Sequence, residues 1–473
     1  MTAVGSAAWR SEPVQRGLQG SEHEALLTAG DAAVAAGAAL LAIGLWTITA
    51  GVGLAEGLET RWRWFLVAAA WTVALTPSRL GQQALSIGTT FRSVTRVAGV
   101  LLVAYLAIYF YAPRQALPRL LAVYFAWEAG LLTLAWRLTY IWVFTETSFR
   151  RRVLVVGAGP AGEAAIRALR VAGVRDAVVV GVVDVEETTT RATVLGVPVL
   201  GGRGLLPDVA IQERVSQVIL AAPTISGPVA DRLLACQEVG INVVPLSTIY
   251  EQLLRRVPVA HLDSSWLFTS FAESVSAKDA SRLAKRVVDV VGGMLGTGLF
   301  LLAAPFISFV IWIDSGFPIF YAQLRAGRGG RPFRILKFRT MVQDAETAGQ
   351  AQWAELADSR VTRAGRWLRQ ARLDELPNFI SVLLGHMSLV GPRPERPEFL
   401  ARLEREVPLY RVRLTARPGL TGWAQINYPY GNSVADAEAK LEYDLYYLKH
   451  RSLPFDVWIV LRTIATVFTL RGR

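Results

Sequence analysis

Cysteine is almost absent from this sequence. The single Cys236 excludes a disulfide framework within the chain and any zinc site built on cysteine. Histidine is scarce as well: His23, His261, His386 and His450 are scattered and form no His-Glu-x-x-His helix. Lysine is nearly missing. Only five are present (Lys278, Lys285, Lys337, Lys440, Lys449), so arginine carries the formal charge of +12. The first thirty residues lack a basic-then-apolar pattern, so no cleavable signal peptide is read. A basic balance suits nucleic acid, anionic lipid or phosphorylated substrates. Beside long apolar runs, lipid and phosphate are the expected partners and nucleic acid is not.

Apolar residues are what the chain has in abundance. They make up 52% of 473 residues, enough chain for two or three domains. Residues 1–148 read as four transmembrane helices. Ala32–Leu54 is uncharged for twenty-three residues, long enough to span. Trp64–Ser78 is shorter, with Trp62 and Trp64 placed for an interface. Val97–Pro113 and Leu120–Phe144 complete the set, and Glu128 and Arg137 in the last are expected to face other helices or an interface. Arg79, Arg92 and Arg96 lie between the second and third segments, and Arg150, Arg151 and Arg152 follow the fourth. Both clusters fall on the cytoplasmic side if the N-terminus does, which places everything after residue 148 in the cytoplasm. Arg61, Arg63, Arg114 and Arg119 weaken that bias from the other side.

Residues 149–262 read as a Rossmann-like nucleotide-fold domain. Arg152–Gly157 is a buried parallel strand by pattern, followed by Gly157-Ala-Gly159-Pro-Ala-Gly162 and an alanine-rich helix to about Leu169. A second strand, Ala177–Val183, ends at Asp184, where a ribose-binding acid belongs, and further strands are expected near Val197–Leu200, Gln217–Ala221 and Asn242–Pro245. Gly157, Gly159, Gly162 and Asp184 would hold a nucleotide or dinucleotide at the helix N-terminus; equally, the glycines serve a tight turn and helix–sheet packing. Membrane-anchored nucleotide-sugar dehydratases resemble this half. They need a Tyr-x-x-x-Lys pair, and no tyrosine here has lysine four residues on.

A linker, 263–281, leads to the basic collar Arg282, Lys285 and Arg286 and then to apolar Val287–Ile313. Pro305 lies inside that run, and Arg325, Arg328 and Arg331 follow it. Basic residues on both sides and a helix-breaking proline fit a re-entrant helix, about 283–313, that bends near Ala304-Pro305 and returns to the cytoplasmic face.

Within the remaining catalytic domain, 282–473, two carboxylates stand side by side at Asp374 and Glu375, after Arg366, Arg369 and Arg372. A basic strand, Phe333–Arg339, precedes them and the stiff Pro392-Arg393-Pro394 follows. Taken alone, Asp-Glu before Leu-Pro reads as a solvated helix end. Ringed by arginines, the pair also suits chemistry on phosphates, where one acid can attack phosphorus, another can hold Mg²⁺ and the arginines can take the developing charge. Lys337 and Arg339 serve either phosphate or a solvated strand face, and Arg417-Pro-Gly419 is a phosphate loop or a plain turn. Pro377–Val390 and Leu453–Leu470 read as interfacial helices.

From about Arg282 onward the chain resembles the bacterial polyprenyl-phosphate glycosyl-1-phosphate transferases of the monotopic superfamily. The resemblance rests on Gly316–Gln323, Arg325–Phe333, Leu336–Met341, Leu373–Asn378, Gly391–Pro394, Arg417–Gln425 and Glu442–Leu448, in that order. Four spans and a nucleotide fold ahead of it look like the large, exopolysaccharide-type members, as does the tract Val257–Leu267. The family often has Ser-Pro at the hairpin break, where this chain has Ala304-Pro305. The resemblance implies a reaction of UDP-sugar with undecaprenyl (polyprenyl) phosphate that yields polyprenyl-diphospho-sugar and UMP. It implies Asp374 as nucleophile, through a covalent phosphosugar–Asp intermediate, and Glu375 as Mg²⁺ ligand. Arg369 and Arg393 match its phosphate-contacting arginines, with Lys337, Arg339 and Arg417 as further candidates. It also implies a multi-pass protein of the bacterial inner membrane, among its lipids, with the catalytic domain on the cytoplasmic face, and a homodimer as in large members. A catalytically silent scaffold or regulator is the other reading. The donor sugar is not fixed by these motifs. The expected architecture is α/β: a four-helix transmembrane domain, a Rossmann-like parallel α/β domain, and a mostly helical catalytic domain with a re-entrant membrane helix.

Overall fold

The computed structural model describes residues 20–75, 87–111, 119–144, 151–174, 177–186, 191–222, 227–262, 279–343, 358–429 and 433–468, with residues 266, 270, 345 and 431. The chain divides into two units, Met1–Leu254 and Arg255–Arg473. The division falls before the expected boundary at 262. Val257 and Val259 belong to the apolar core of the second unit, and the Val257 N–H donates to the Glu442 carbonyl at 3.0 Å.

The first unit opens with helices α1 (Gly20–Ala50), α2 (Leu54–Arg61), α3 (Trp64–Leu75), α4 (Ile87–Tyr111) and α5 (Arg119–Phe144). Ala35, Ala38, Ala39 and Ala42 recur at helical spacing along α1 and are fully buried against Trp64, Trp71 and Phe125. Small side chains on that face let bulky aromatic neighbours approach. The described part of the second expected span is the twelve-residue α3, and a separate short α2 precedes it. Two described stretches, Ala25–Ala50 and Arg282–Ser315, are long and apolar enough to cross a membrane. Arg137 of α5 faces its neighbours, as expected: Nη2 donates to Asp31 Oδ2 of α1 at 2.7 Å, and Nη1 donates to Ser93 Oγ of α4 at 3.2 Å. Burial of either charge without the other would be costly, so the pair fixes which faces meet. Arg79, Arg114 and Arg150, on which the expected orientation depends, lie outside the described residues.

The same unit holds a six-stranded sheet of β1 (Arg151–Val156), β2 (Ala177–Val183), β3 (Thr193–Val194), β4 (Val197–Gly201), β5 (Gln217–Leu220) and β6 (Asn242–Pro245), in the order β3-β4-β2-β1-β5-β6. All neighbours pair in parallel except the short β3, which is antiparallel to β4. The order reverses between β1 and β5, as in doubly wound sheets. Helices α6 (Pro160–Val171), α7 (Leu206–Gln212), α8 (Gly227–Glu238) and α9 (Leu246–Leu254) are part of the same α/β arrangement. Two apolar clusters share the strands: α6 and α9 contribute to one, α7 and α8 to the other. Each valine-rich strand therefore buries side chains on both faces.

In the second unit the long helix α10 (Asp279–Ser315) leads to an antiparallel hairpin, β7 (Phe320–Ala326) and β8 (Pro332–Phe338). Then come α11 (Arg363–Gln370), α12 (Asn378–Leu384), β9 (Ser388–Val390), α13 (Pro397–Glu406), β10 (Gly419–Thr421), α14 (Trp423–Asn427), α15 (Val434–His450) and α16 (Leu453–Phe468). Strands β9 and β10 pair in parallel. The expected interfacial helix over Pro377–Val390 is thus helical only over Asn378–Leu384 and ends in the short strand Ser388–Val390. Gly385 ends α12 at φ 83°, and the strand pairs with β10 instead of prolonging the helix. The other expected interfacial segment is α16.

Helix α10 runs through Pro305 as one 37-residue helix, about 55 Å long. The break expected at Ala304-Pro305 does not interrupt it. Proline inside a helix costs roughly 3 kcal/mol, but Ala303, Ala304, Ile307 and Ile311 around it pack on Phe338, Leu368 and Leu376, which offsets that cost. One face of α10 lies on its unit along the whole length. At the middle, a methyl group added to Gly296 would come within 2.1 Å of the Phe379 ring, and the start is bonded as well. Lys285 Nζ donates to Asp456 Oδ2 of α16 at 2.6 Å, and Arg286 donates to the Val382 and Leu383 carbonyls ending α12 at 2.9 and 2.7 Å. At the far end Asp314 Oδ2 accepts from the Ala364 N–H at 3.0 Å. The opposite face, with Leu295, Leu299, Leu302, Phe306, Phe309 and Ile313, is bare.

Candidate active site

The acidic pair sits on a turn, not on a regular helix. Thr362 caps α11 by accepting from the Gly365 N–H at 3.0 Å. The helix stops at Gln370, and Arg372 takes a left-handed conformation (φ 54°, ψ 23°). Such a conformation costs a non-glycine residue about 1–2 kcal/mol. It redirects the chain into a single 3₁₀ turn, Leu373–Glu375, and then into Pro377 and α12. Successive side chains on such a turn point about 120° apart, so Asp374 and Glu375 face different surroundings.

Glu375 faces cations. Lys337 Nζ of β8 donates to its Oε1 at 2.6 Å, and Arg393 Nη2 donates to the same oxygen at 2.8 Å. Burial alone would raise this carboxyl, yet Arg393 and Lys337 hold it well below the usual carboxylate range. Asp374 is 9% exposed. Burial and the adjacent Glu375 charge push it above the ordinary aspartate value, while Lys337, Arg369 and Arg393 pull the other way. The two acids are thereby driven apart in acidity, as expected of neighbours with separate tasks.

Arg393 is held from behind. Its carbonyl accepts from Arg413 Nη2 at 3.0 Å, and the same nitrogen lies 2.8 Å from Asp444 Oδ2. The Val390 carbonyl, three residues earlier, accepts from Lys285 Nζ at 3.3 Å, Ser388 Oγ at 3.0 Å and Tyr447 Oη at 3.1 Å. A shallow cleft opens here, lined by Arg325, Lys337, Glu375, Asn378, Arg393 and Gly419, with Ile335, Met387 and Leu420 as an apolar wall.

Not every candidate joins this cleft. Arg369 donates to Thr340 Oγ1 at 2.9 Å and acts on Asp374 by charge alone. Arg339 is buried elsewhere: Nη2 donates to the Ser315 and Gly316 carbonyls, each at 2.6 Å, and caps the C-terminus of α10. Its Nε and Nη1 are buried without a hydrogen-bond partner among the described residues. Arg417 is half-buried before β10 and does not line the cleft, although Gly419 and Leu420 do. In the first unit two of the three loop glycines lie against backbone. Gly157 stands at φ 118°, and a methyl group there would meet the Ala221 carbonyl at 2.5 Å; one at Gly162 would meet the Gly157 carbonyl at 1.9 Å. Nothing lies within 4 Å of the position a Gly159 methyl would take. Arg191 Nη1 donates to the Ala158 carbonyl of this loop at 3.0 Å, and Asp184 Oδ1 accepts from the Val185 N–H at 2.8 Å.

The candidates omitted Arg325 and Asn378. A signal for Arg325 was available in the alternation Tyr321-Ala-Gln323-Leu-Arg325. In the hairpin Tyr321 lies opposite Lys337 and Gln323 opposite Ile335. Opposed residues share a face, so Arg325 shares it with Lys337. Asn378 Oδ1 accepts from the Leu336 N–H at 3.2 Å, tying the acidic turn to the basic strand.

The residues present fit a magnesium ion. No group of three or more His, Cys, Asp or Glu side chains converges among the described residues. Mg²⁺, however, takes one or two carboxylates and completes its shell from phosphate and water. Both cations bond Oε1 of Glu375, which leaves Oε2 for a metal.

Residues 280–470 match the family described as "Bacterial sugar transferase", and residues 78–237 match one described as "CoA-binding domain". The chain is 40% identical over 240 residues to the UDP-N-acetylgalactosamine-undecaprenyl-phosphate N-acetylgalactosaminephosphotransferase of Aeromonas hydrophila, across 50% of this chain and 55% of that protein. It is 31% identical over 349 residues to the UDP-galactose-lipid carrier transferase of Erwinia amylovora, across 68% of this chain and 69% of that protein. It is 42% identical over 191 residues to the UDP-glucose:undecaprenyl-phosphate glucose-1-phosphate transferase of Caulobacter vibrioides, across 40% of this chain and 70% of that protein. The chain therefore spans about half the length of the first of these and more than two thirds of the other two.

Proposed function

The chain belongs to the bacterial sugar transferase family, and from that premise we propose that it transfers a sugar 1-phosphate from a UDP-sugar to undecaprenyl phosphate. The observation that carries this reading is the acidic turn itself. Asp374 and Glu375 stand in opposite electrostatic surroundings, beside a cleft walled by Arg325, Lys337 and Arg393.

In this reading the Asp374 carboxylate attacks the sugar-bearing phosphorus. The bond from that phosphorus to the UMP oxygen breaks, and UMP leaves with the electron pair. A phosphate oxygen of the polyprenyl phosphate then attacks the same phosphorus, and the acyl-phosphate bond breaks to restore the carboxylate. Splitting the exchange spares two polyanions from meeting directly. Lys337 and Arg393 stabilise the charge that develops on the phosphoryl oxygens. Glu375 would hold Mg²⁺, which supplies charge neutralisation at the diphosphate. Arg369 lowers the cost of ionising Asp374.

Two observations support a seating of α10 in the membrane surface, along its own unit, without the bend expected at Ala304-Pro305. Both of its ends are bonded to one unit, and its outward face is apolar throughout. A helix fixed at both ends to a single body lies along that body, with its bare face toward lipid. The nucleotide-sugar donor then arrives from the aqueous side while the lipid phosphate enters at the headgroup level. With α1, α3, α4 and α5 as four spans, the protein would be multi-pass in the bacterial inner membrane with the acidic turn on the cytoplasmic face, where it would begin an exopolysaccharide or capsule repeat. The glycine loop after β1 is read as structural, because Gly157 and Gly162 are both spoken for by backbone packing.

The test is UMP release by the purified protein in lipid nanodiscs, with Mg²⁺ and undecaprenyl phosphate, across a panel of UDP-sugars. Release with one sugar would establish the reaction and name the donor. No release with any of them would remove the transferase reading.

A further inference from the structure

The cleft carries more positive charge than its own carboxylate can balance. Lys337 and Arg393 are both bonded to Glu375. Arg325 is not. Its Nη2 and Nε donate to the neutral Gln323 Oε1 at 2.7 and 3.1 Å, and Nη1 donates to the Pro394 carbonyl at 3.2 Å. The closest carboxylate oxygen is Glu395 Oε1 at 3.9 Å, on a side chain that also lies 4.0 Å from Arg413. The Arg325 side chain is only 19% exposed. Burial disfavours its charged form most; Glu395, the next largest influence, and Glu375 favour it, while Arg393 and Arg396 oppose it. A desolvated guanidinium whose hydrogen bonds all go to neutral acceptors is preorganised for an anion.

We propose that Arg325 is the fixed cation of a phosphate-monoester subsite in this cleft, occupied in turn by the phosphate of the departing UMP and by the incoming lipid phosphate. The proposal rests on the two-step reading above. In that reading Asp374 displaces UMP in line, and the lipid phosphate later displaces Asp374 in line at the same phosphorus. The second nucleophile therefore enters on the side from which the first leaving group departed, so one subsite serves both monoesters. Gln323 and the Pro394 carbonyl hold the guanidinium plane while its occupant changes. Asp374, Lys337 and Arg393 act on the phosphoryl group in transit, and Arg325 acts on the group it is exchanged with.

The experiment compares wild type with Arg325→Gln and Arg325→Lys in nanodiscs. UMP binding is read by calorimetry, with uridine as the control, and KM is measured for each substrate. Arg325→Gln is expected to weaken UMP on the order of 10- to 100-fold, the loss of one charge-assisted hydrogen bond. It should raise KM for both the UDP-sugar and the polyprenyl phosphate, with Arg325→Lys recovering most of each loss. UMP affinity within twofold of wild type in Arg325→Gln would overturn the assignment. A KM rise for only one substrate would overturn the sharing. Calorimetry needs no turnover, so a wild type that binds UMP but transfers nothing would sink the transferase reading while leaving the Arg325 assignment to its own test. A wild type that binds no UMP would end the proposal.

Discussion

Two buried ion clusters in the second unit use the same ingredients to opposite ends. Around Asp444, one carboxylate meets one guanidinium: Arg413 approaches at 2.8 Å, 7% exposed against 2%, with the Tyr410 hydroxyl closing the remaining side. Around Glu375, one carboxylate meets Lys337 and Arg393, with Arg325 a third cation on the same wall. The first cluster is balanced and sealed, so it can only hold structure. The second is unbalanced and open to a cleft, so it holds charge in readiness for a ligand. A buried pair with matched charges contributes little beyond fixing geometry. A surplus of one sign is tolerated only where something else supplies the other.

The sharpest way to break this contrast is at Asp374, the nucleophile of the proposed reaction. Asp374→Asn should lower UMP release by at least about a thousandfold, with the protein still folded. Appreciable turnover in that variant would take Asp374 out of the chemistry. Glu375→Gln comes next, with an expected loss on the order of a hundredfold and a flattened response to Mg²⁺ titration. Its melting temperature should fall modestly, because a carboxylate held well below its usual range contributes stability at neutral pH, while its two partners are partly exposed and can turn to solvent. Arg413→Met probes the sealed cluster and should cost more stability and less chemistry. Leaving Asp444 unpaired costs about 3–5 kcal/mol of stability, read by thermal unfolding, and activity should fall mainly because Arg393 loses its support. Equal thermal effects of Glu375→Gln and Arg413→Met would erase the distinction between the clusters.

The smallest expected effects are in pH. In the proposed reaction Asp374 must be ionised to attack, and its carboxyl lies above the ordinary aspartate value. Activity should therefore fall on acidification earlier than an ordinary aspartate would require, and the position of that limb in kcat/KM against pH checks it. Glu442 offers the stability counterpart. Burial raises it to about 7 despite Arg256 at 3.3 Å. The folded state then binds more protons than the unfolded chain between the unfolded glutamate value and about 7. Its stabilising contribution is present below that window and is lost as pH rises through it. Glu442→Gln should flatten the melting temperature across this range.

Much of this was legible in the sequence because it depends on local pattern. Valine-rich runs fixed the strands β1, β2, β4, β5 and β6 within a residue or two, since period and turn residues act over short range. The acidic pair and Pro392-Arg393-Pro394 could be singled out because residues of their type at their spacing suit phosphate chemistry. The role of Arg339 could not. It sits two residues after Lys337 and reads as its twin, but β8 ends at Phe338, and Arg339 turns to cap the last carbonyls of α10. Arg325 was passed over for the converse reason. Its sharing of a face with Lys337 exists only through cross-strand register, twelve residues away in the chain.

The sequence by itself determined the family, through its ordered motifs, and most of the α/β and helical segments, because motif spacing and periodicity are properties of a chain and its near neighbours. Only the tertiary structure decided which cations share one oxygen of Glu375, that Pro305 lies within an unbroken α10, and that Arg413 holds the Arg393 carbonyl. Those outcomes depend on contacts between residues far apart in sequence. Packing and desolvation choose among partners there that local pattern leaves equivalent.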